Sequence, residues 1–195
     1  LGESRVKFVG TATIGTDHMD IPWLEKHGIK WCFAPGCNAN SVSEYVTSAL
    51  LHLAVKHNFA LEGKTMGIIG VGNVGSLVVK KALALGMKVL LNDPPRKDKK
   101  ETVDGHAWTP LNELLERSDV VTMHVPLTKD GKYPTFHMAD KKFFGLMKNG
   151  STYFNCARGP VNVTDDLLSA INSGKISHAV IDTWEGEPNF RQDLL

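Results

Sequence analysis

With 195 residues, 42% of them hydrophobic, the chain can bury a real core, enough for one large domain or one domain plus part of another. Its 22 Lys and Arg against 21 Asp and Glu give a formal charge of +1, so no overall field favours nucleic acid or an anionic membrane, and a charged ligand must be met by a local site. Cys32, Cys37 and Cys156 are too few and too scattered for a disulfide framework or a four-ligand zinc site; no metal is expected, and a reducing, cytoplasmic setting is.

The apolar stretches are shorter than a membrane span, and residues 1 to 10, "LGESRVKFVG", lack the basic start and apolar centre of a signal peptide. The chain opens almost directly into a strand-like run, so something upstream is expected to have been cut away. Short β-branched or apolar runs then alternate with helical patterns, which predicts an α/β fold, a parallel sheet covered by helices. The expected strands are Val6 to Val9, Ile29 to Phe33, Thr65 to Ile69, Lys88 to Asn92, Val120 to His124, Thr152 to Asn155 and Ala179 to Asp182. The first helix should start at Ser41, where "SVSE" reads as a capping box, with apolar residues at 42, 45, 46, 49, 50 and 53 forming one wide buried face. Further helices are expected from Asn73 to about Leu85, ended by Gly86, then over Leu111 to Arg117, Lys141 to Lys148, and Asp165 to Asn172, closed by Gly174. The charged stretch at 94 to 105, "PPRKDKKETVDG", reads as a solvated loop.

Chemistry first enters at "KTMGIIGVGNVG", residues 64 to 75. Gly70, Gly72 and Gly75 form G-x-G-x-x-G between a strand and a helix. Gly70 would allow the tight turn, Gly72 the approach of a pyrophosphate to the backbone, and Gly75 the close packing of helix on strand. Asn73 and Val74 open the helix whose N-terminus would face the phosphates. The next strand ends on Asp93, 21 residues after Gly72, where a carboxylate would meet ribose hydroxyls. That carboxylate would repel the extra phosphate of NADP and so favours NAD, while Arg96 argues mildly the other way. A dinucleotide fold leaves the reaction open. "CARG" narrows it, because the strand before Arg158 would carry a planar guanidinium fork to the carboxyl edge of the sheet, facing a carboxylate or a developing alkoxide. "VIDTWEGEP" should bring Asp182, Glu185 and Glu187 to the same edge.

In this order "GIIGVGNVG", "HVPLT", "NCARG" and "IDTWEGEP" resemble the nucleotide-binding domain of the D-isomer-specific 2-hydroxyacid dehydrogenases. The stretches "GTATIGTDHMD", "PGCNANSVSEYV", "DPPR" and "DGKYPTFHM" resemble a member that acts on a small phosphorylated 2-hydroxy acid. The resemblance implies a doubly wound Rossmann domain over residues 38 to 195 and, over 1 to 37, the last segment of a flavodoxin-like substrate domain. It further implies that Arg158 binds the substrate carboxylate and C2 oxygen, and that Glu187, 29 positions on, holds a histidine protonated. Asp182 would hold the nicotinamide carboxamide, Val125 and the backbone of Cys156, Ala157 and Arg158 would contact the cofactor, and Thr13 would contact substrate. Glu185 is then expected to be an exposed neighbour. A homodimer is expected. The family's histidine would lie beyond residue 195, so the chain as given is expected to bind NAD without turning over substrate. One departure is "RGPVNV", with Val163 where the family has aspartate, which leaves Thr164 or Asp165 to cap the following helix. His124 reads as structural or cofactor-side, and His137 carries no signal by itself. Cys32 and Cys37 read as buried small hydrophobes. An enzyme on a simple 2-hydroxy acid or on phosphoglycerate, and a non-catalytic NAD-binding module, remain as alternatives.

Overall fold

The computed structural model describes residues 5–189 and Arg191. Strand β1 (Phe8–Gly10), helix α1 (Ile21–Lys26) and strand β2 (Lys30–Cys32) form a small βαβ unit in which β1 pairs with β2 in parallel, Val9 opposite Trp31. Helix α2 (Ala39–Lys56) then leads into β3 (Thr65–Ile69), α3 (Asn73–Ala84), β4 (Lys88–Asn92), α4 (Pro94–Asp98), α5 (Leu111–Arg117), β5 (Val120–Met123), α6 (Lys141–Leu146), β6 (Ser151–Asn155), α7 (Thr164–Asn172) and β7 (Ile176–Ile181). The last five strands make one parallel sheet in the order β4-β3-β5-β6-β7. An isolated parallel bridge from Leu91 to Trp108 extends it past β4, so a third-strand position is present but reduced to one residue pair. With that position counted, the order is the 3-2-1-4-5-6 of a doubly wound dinucleotide fold, and the chain reverses direction across the sheet between β3 and β5.

Both faces of the sheet are covered, which is why its strands read as continuous apolar runs. Successive side chains alternate between faces. Met66, Ile68 and Phe154 meet Val46, Leu50, Val78 and Val79 of α2 and α3, while Ile69, Val121 and Tyr153 meet Leu114, Phe143, Phe144 and Leu167 of α5, α6 and α7. Each fully buried side chain of this size contributes roughly 1.5–3 kcal/mol. A Cβ on Gly67 would stand 2.3 Å from Leu114 Cδ2, so the glycine lets α5 lie directly on β3.

Several expectations need correction. Helix α2 starts at Ala39 rather than Ser41, because the chain already turns at Gly36 and the Ala39 N–H reaches the Gly36 carbonyl. Ser41 therefore sits inside the first turn and forms no capping box; Glu44 instead accepts from Asn40 Nδ2 at 2.7 Å. Within the stretch expected to be a loop, Pro94–Asp98 is helical, with Asp93 accepting the Arg96 N–H as its cap and proline preset for the first turn. Helix α1 has the same Asp-cap and proline arrangement, at Asp20 and Pro22. Cys32, at the end of β2, and Cys37, in the turn before α2, are both exposed rather than buried. Among the described residues no helix is long and apolar enough to cross a membrane.

Candidate active site

Strands β3, β5, β6 and β7 end on one edge of the sheet, and the residues of interest lie there. Gly70 has φ +83° and its N–H bonds the Asn92 carbonyl at 2.9 Å, so the turn after β3 closes onto β4 in a backbone conformation that favours glycine. A Cβ on Gly75 would stand 2.1 Å from the Gly70 carbonyl oxygen, whereas one on Gly72 would meet nothing within 4 Å. The turn is thus packed on the protein side and open at Gly72, at the N-terminus of α3, where unpaired N–H groups favour an anion. A Cβ on Gly36 would stand 3.2 Å from Asn73 Nδ2, so Asn73 lies close by the Gly36 turn, and Val74 packs on the core of that face. Asp93 is half-buried; its Oδ2 accepts the Val71 N–H at 2.8 Å and its Oδ1 the Arg96 N–H at 3.1 Å. Each carboxylate oxygen keeps a further lone pair.

The turn after β6 is built by Asn155, which is fully buried. Its Oδ1 accepts the Ala157 N–H at 3.0 Å and its Nδ2 donates to the Arg158 carbonyl at 3.0 Å. A polar residue closing an apolar strand was the available signal for this support. Arg158 then leaves the sheet edge toward the first segment. Its Nε donates to Asp17 Oδ1 at 3.2 Å, and a Cβ on Gly15 would collide with its guanidinium, so Gly15 is what lets the loop lie against the arginine. Partial burial works to raise the Asp17 pKa, but the residue's own backbone N–H and Arg158 outweigh it and the carboxyl is held below its usual range. Exposed Thr13 is on the same loop, its hydroxyl bonded to the Gly15 carbonyl at 2.8 Å and to Thr11, which His18 Nε2 approaches at 3.1 Å.

A Cβ on Gly159 would stand 2.0 Å from the Trp184 carbonyl oxygen, so this glycine allows the "WEGEP" loop to lie directly against the residue after Arg158. Within that loop Glu187 is exposed and its carboxylate accepts the Trp184 N–H. Asp182 is exposed at the surface; partial desolvation first, and the Glu187 charge second, raise its pKa. Cys156 lies beside Asp182; burial, then that charge, push its thiol up to about 12, so it is no nucleophile at neutral pH. Burial first, and then Asp182 and Cys156, raise the pKa of Tyr45 of α2, a residue that in the sequence reads as one more position of an amphipathic helix. Ala157 is buried and Val125 half-buried, at the ends of β6 and β5.

Glu185 is not the exposed neighbour expected. It is half-buried, with Oε1 2.7 Å from His137 Nε2 and Oε2 accepting the Thr164 hydroxyl at 2.6 Å and the Thr164 N–H at 3.1 Å. Neither Thr164 nor Asp165 caps α7; the cap comes from Glu185, 21 residues further on. His124 donates to or accepts from Thr122 at 2.9 Å, and burial lowers its pKa to about 4, so it is neutral at pH 7 and stores no proton there. No group of three or more metal-ligating side chains occurs among the described residues.

Residues 44–195 match the family model described as D-isomer specific 2-hydroxyacid dehydrogenase, NAD binding domain. An erythronate-4-phosphate dehydrogenase of Bacteroides fragilis is 47% identical over 195 residues, all of this chain and 55% of that protein; one of Citrobacter koseri is 47% identical over 195 residues, again all of this chain and 51% of that protein. The chain therefore spans about half the length of the curated relatives it matches. Among solved structures, a D-lactate dehydrogenase from Aquifex aeolicus complexed with NAD and lactic acid matches with a TM-score of 0.78 at 35% identity, over 94% of this chain and 59% of that one. The holo form of a Rhodotorula graminis D-mandelate dehydrogenase matches with a TM-score of 0.78 at 28% identity, over 96% of this chain and 61% of that one.

Proposed function

Because the chain belongs to the D-isomer-specific 2-hydroxyacid dehydrogenase family, through that family's NAD binding domain, we propose that it forms part of an enzyme oxidising the C2 hydroxyl of 4-phospho-D-erythronate to 2-oxo-3-hydroxy-4-phosphobutanoate. The observation that carries this reading is Arg158, delivered from the sheet edge by the Asn155 turn and laid against the loop that bears Thr13 and Asp17. A module that only bound NAD would need the glycine turn and Asp93 but no guanidinium facing a second segment.

The glycine turn fits a dinucleotide, since Gly72 and the start of α3 leave open space beside unpaired backbone donors. Gly70, Gly72, Asn73, Val74 and Gly75 would hold the pyrophosphate, Asp93 the ribose, and Val125, Cys156, Ala157, Arg158 and Asp182 the nicotinamide end. NAD bound along this edge supplies a hydride acceptor. Arg158 presents two parallel N–H donors to the substrate carboxylate and C2 oxygen, fixing C2 toward the sheet edge and stabilising charge on the oxygen as its proton leaves. Glu187 would hydrogen-bond the histidine that takes that proton and raise its pKa by opposite charge. Thr13 would add a hydroxyl from the substrate side.

We would place the substrate as a phosphorylated acid because the 47% identical relatives that span the whole chain carry that name. The test is NADH formation at 340 nm by this chain, and by a version extended to its relatives' length, with 4-phospho-D-erythronate, 3-phosphoglycerate and D-lactate under the same conditions. Preference for 4-phospho-D-erythronate in the extended version is the expected result. Preference for lactate, or no NADH with any of the three, would overturn the substrate assignment.

A further inference from the structure

Dinucleotide folds of this kind read the adenosine ribose with a carboxylate when the cofactor is NAD, or with a nearby arginine when it carries a 2′-phosphate. This chain has both, three residues apart, and the geometry points to Glu101 as the residue that decides between them. Arg96 lies beside the glycine turn, its Nη1 donating to the Val71 carbonyl immediately before Gly72. Its own backbone N–H is already bound to Asp93. A guanidinium so placed is next to whatever Asp93 contacts, which is where a 2′-phosphate would be received.

Glu101 occupies that guanidinium. Its Oε2 accepts from Arg96 Nε at 2.6 Å, and the pair is only partly exposed, 27% for the arginine side chain and 41% for the glutamate. Glu101 is itself held from two further sides: its N–H donates to the Arg96 carbonyl at 3.1 Å, and its carbonyl accepts from Trp108 Nε1 at 2.8 Å. Trp108 is in turn the single residue that occupies the reduced third-strand position beside Leu91, and its ring lies 5.8 Å from the guanidinium carbon. The sheet thus fixes the Glu101 backbone beside Arg96, within reach of the guanidinium that its carboxylate engages.

The chemistry follows from the charges. A 2′-phosphate would meet the negative charges of Asp93 and Glu101 together, with one guanidinium already neutralised, whereas the two ribose hydroxyls of NAD need only Asp93. Glu101 thus acts as a specificity residue that withholds Arg96 from phosphate. The inference rests on the NAD-binding reading and goes beyond it by naming how NADP is refused.

The experiment is calorimetric titration of NADH and NADPH into the wild-type chain, Glu101→Gln and Glu101→Ala, with the double variant Arg96→Ala/Glu101→Gln. Wild type should bind NADH more tightly than NADPH. Freeing one charge-assisted contact should lower the NADPH-to-NADH ratio of dissociation constants by about tenfold in both single variants. The double variant should lose that gain. An unchanged ratio in folded single variants while wild type binds NADH would overturn the role of Glu101 and leave the NAD reading standing. Failure of wild type to bind NADH would overturn both, and a gain that survives in the double variant would show that Arg96 is not the receiving group.

Discussion

Arg158 and Asp17, 141 positions apart, meet with Nε 3.2 Å from Oδ1, and their contact joins the C-terminal edge of the five-stranded sheet to the loop that follows β1. The guanidinium also donates from Nη1 to the Ala157 carbonyl at 2.8 Å. Two fixed acceptors on different sides aim the fork, and a lysine ammonium, with three donors but no planar fork, cannot hold both and still present parallel donors to a carboxylate. In an enzyme extended to its relatives' length, Arg158→Lys should lower kcat/KM on the order of 10²-fold although charge is kept. Asp17→Asn should lower it far less, because the arginine keeps its Ala157 contact. Equal losses from the two variants would mean that the residues act only as a structural clasp.

Asp93 has a structural share that its sequence position alone hides. By accepting the Val71 N–H it fixes the glycine turn, and by accepting the Arg96 N–H it caps α4. Asp93→Ala should therefore cost about 0.5–2 kcal/mol in the absence of any cofactor, the usual loss for a helix cap, besides weakening NADH. Urea denaturation of the unliganded chain measures the first effect and calorimetric titration the second. An unchanged unfolding midpoint would show that the backbone bonds contribute nothing net.

The same residue shows why some of the fold was legible and some was not. β3 and β4 appear where expected, Thr65–Ile69 and Lys88–Asn92, because each is an apolar run ended by a residue with one evident purpose, Gly70 or Asp93. α1 and α4 were missed because six and five residues are too short for a periodic pattern, and their signal is only an Asp cap followed by proline. Ser41 misled because a capping pattern says which residues could start a helix, while the Gly36 turn, a contact outside that pattern, decided where it began. In the site, glycine spacing and the arginine at a strand end are local features and were readable. Gly15 and Gly159 were not, since what demands a missing Cβ there is a partner 143 positions away in one case and 25 in the other.

Glu185 and Glu187 stand two residues apart with different surroundings, Glu185 half-buried against Thr164 and His137 and Glu187 exposed. Burial alone would raise the Glu185 carboxyl, but Thr164 and His137 outweigh it and the net shift is downward. A carboxyl lowered in the folded state adds stability that is present above its unfolded value of about 4.3 and is lost as pH falls through the folded value. Glu185→Gln should therefore lower the melting temperature at pH 7 and narrow the difference between pH 7 and pH 4. Glu187→Gln, whose carboxylate lies on the exposed side of the loop, should instead reduce turnover in the extended enzyme. A Glu185→Gln variant with wild-type stability at pH 7 would remove Glu185 as the tie between the 137 loop and α7.

Gly72 and Gly75 allow folding and cofactor binding to be tested separately within one motif. A Cβ at Gly75 would stand 2.1 Å from the Gly70 carbonyl, a backbone atom that cannot move without opening the turn against β4. Gly75→Ala should consequently destabilise the unliganded chain by about 1–3 kcal/mol or more, as overpacking against a rigid neighbour does. A Cβ at Gly72 meets nothing within 4 Å, although its ψ of −145° lies outside the broad β and α regions. Alanine there also trades a tolerated helix cap for a poorer one, and should still cost less stability than alanine at Gly75, where the added atom meets backbone. If a pyrophosphate lies against that backbone, the added methyl occupies its space, and NADH binding should weaken about tenfold or more while the melting temperature falls less than in Gly75→Ala. Thermal denaturation without cofactor and calorimetric titration of NADH, run on both variants, decide the matter. Undiminished NADH binding by a folded Gly72→Ala chain would remove the open side of the turn as the pyrophosphate site.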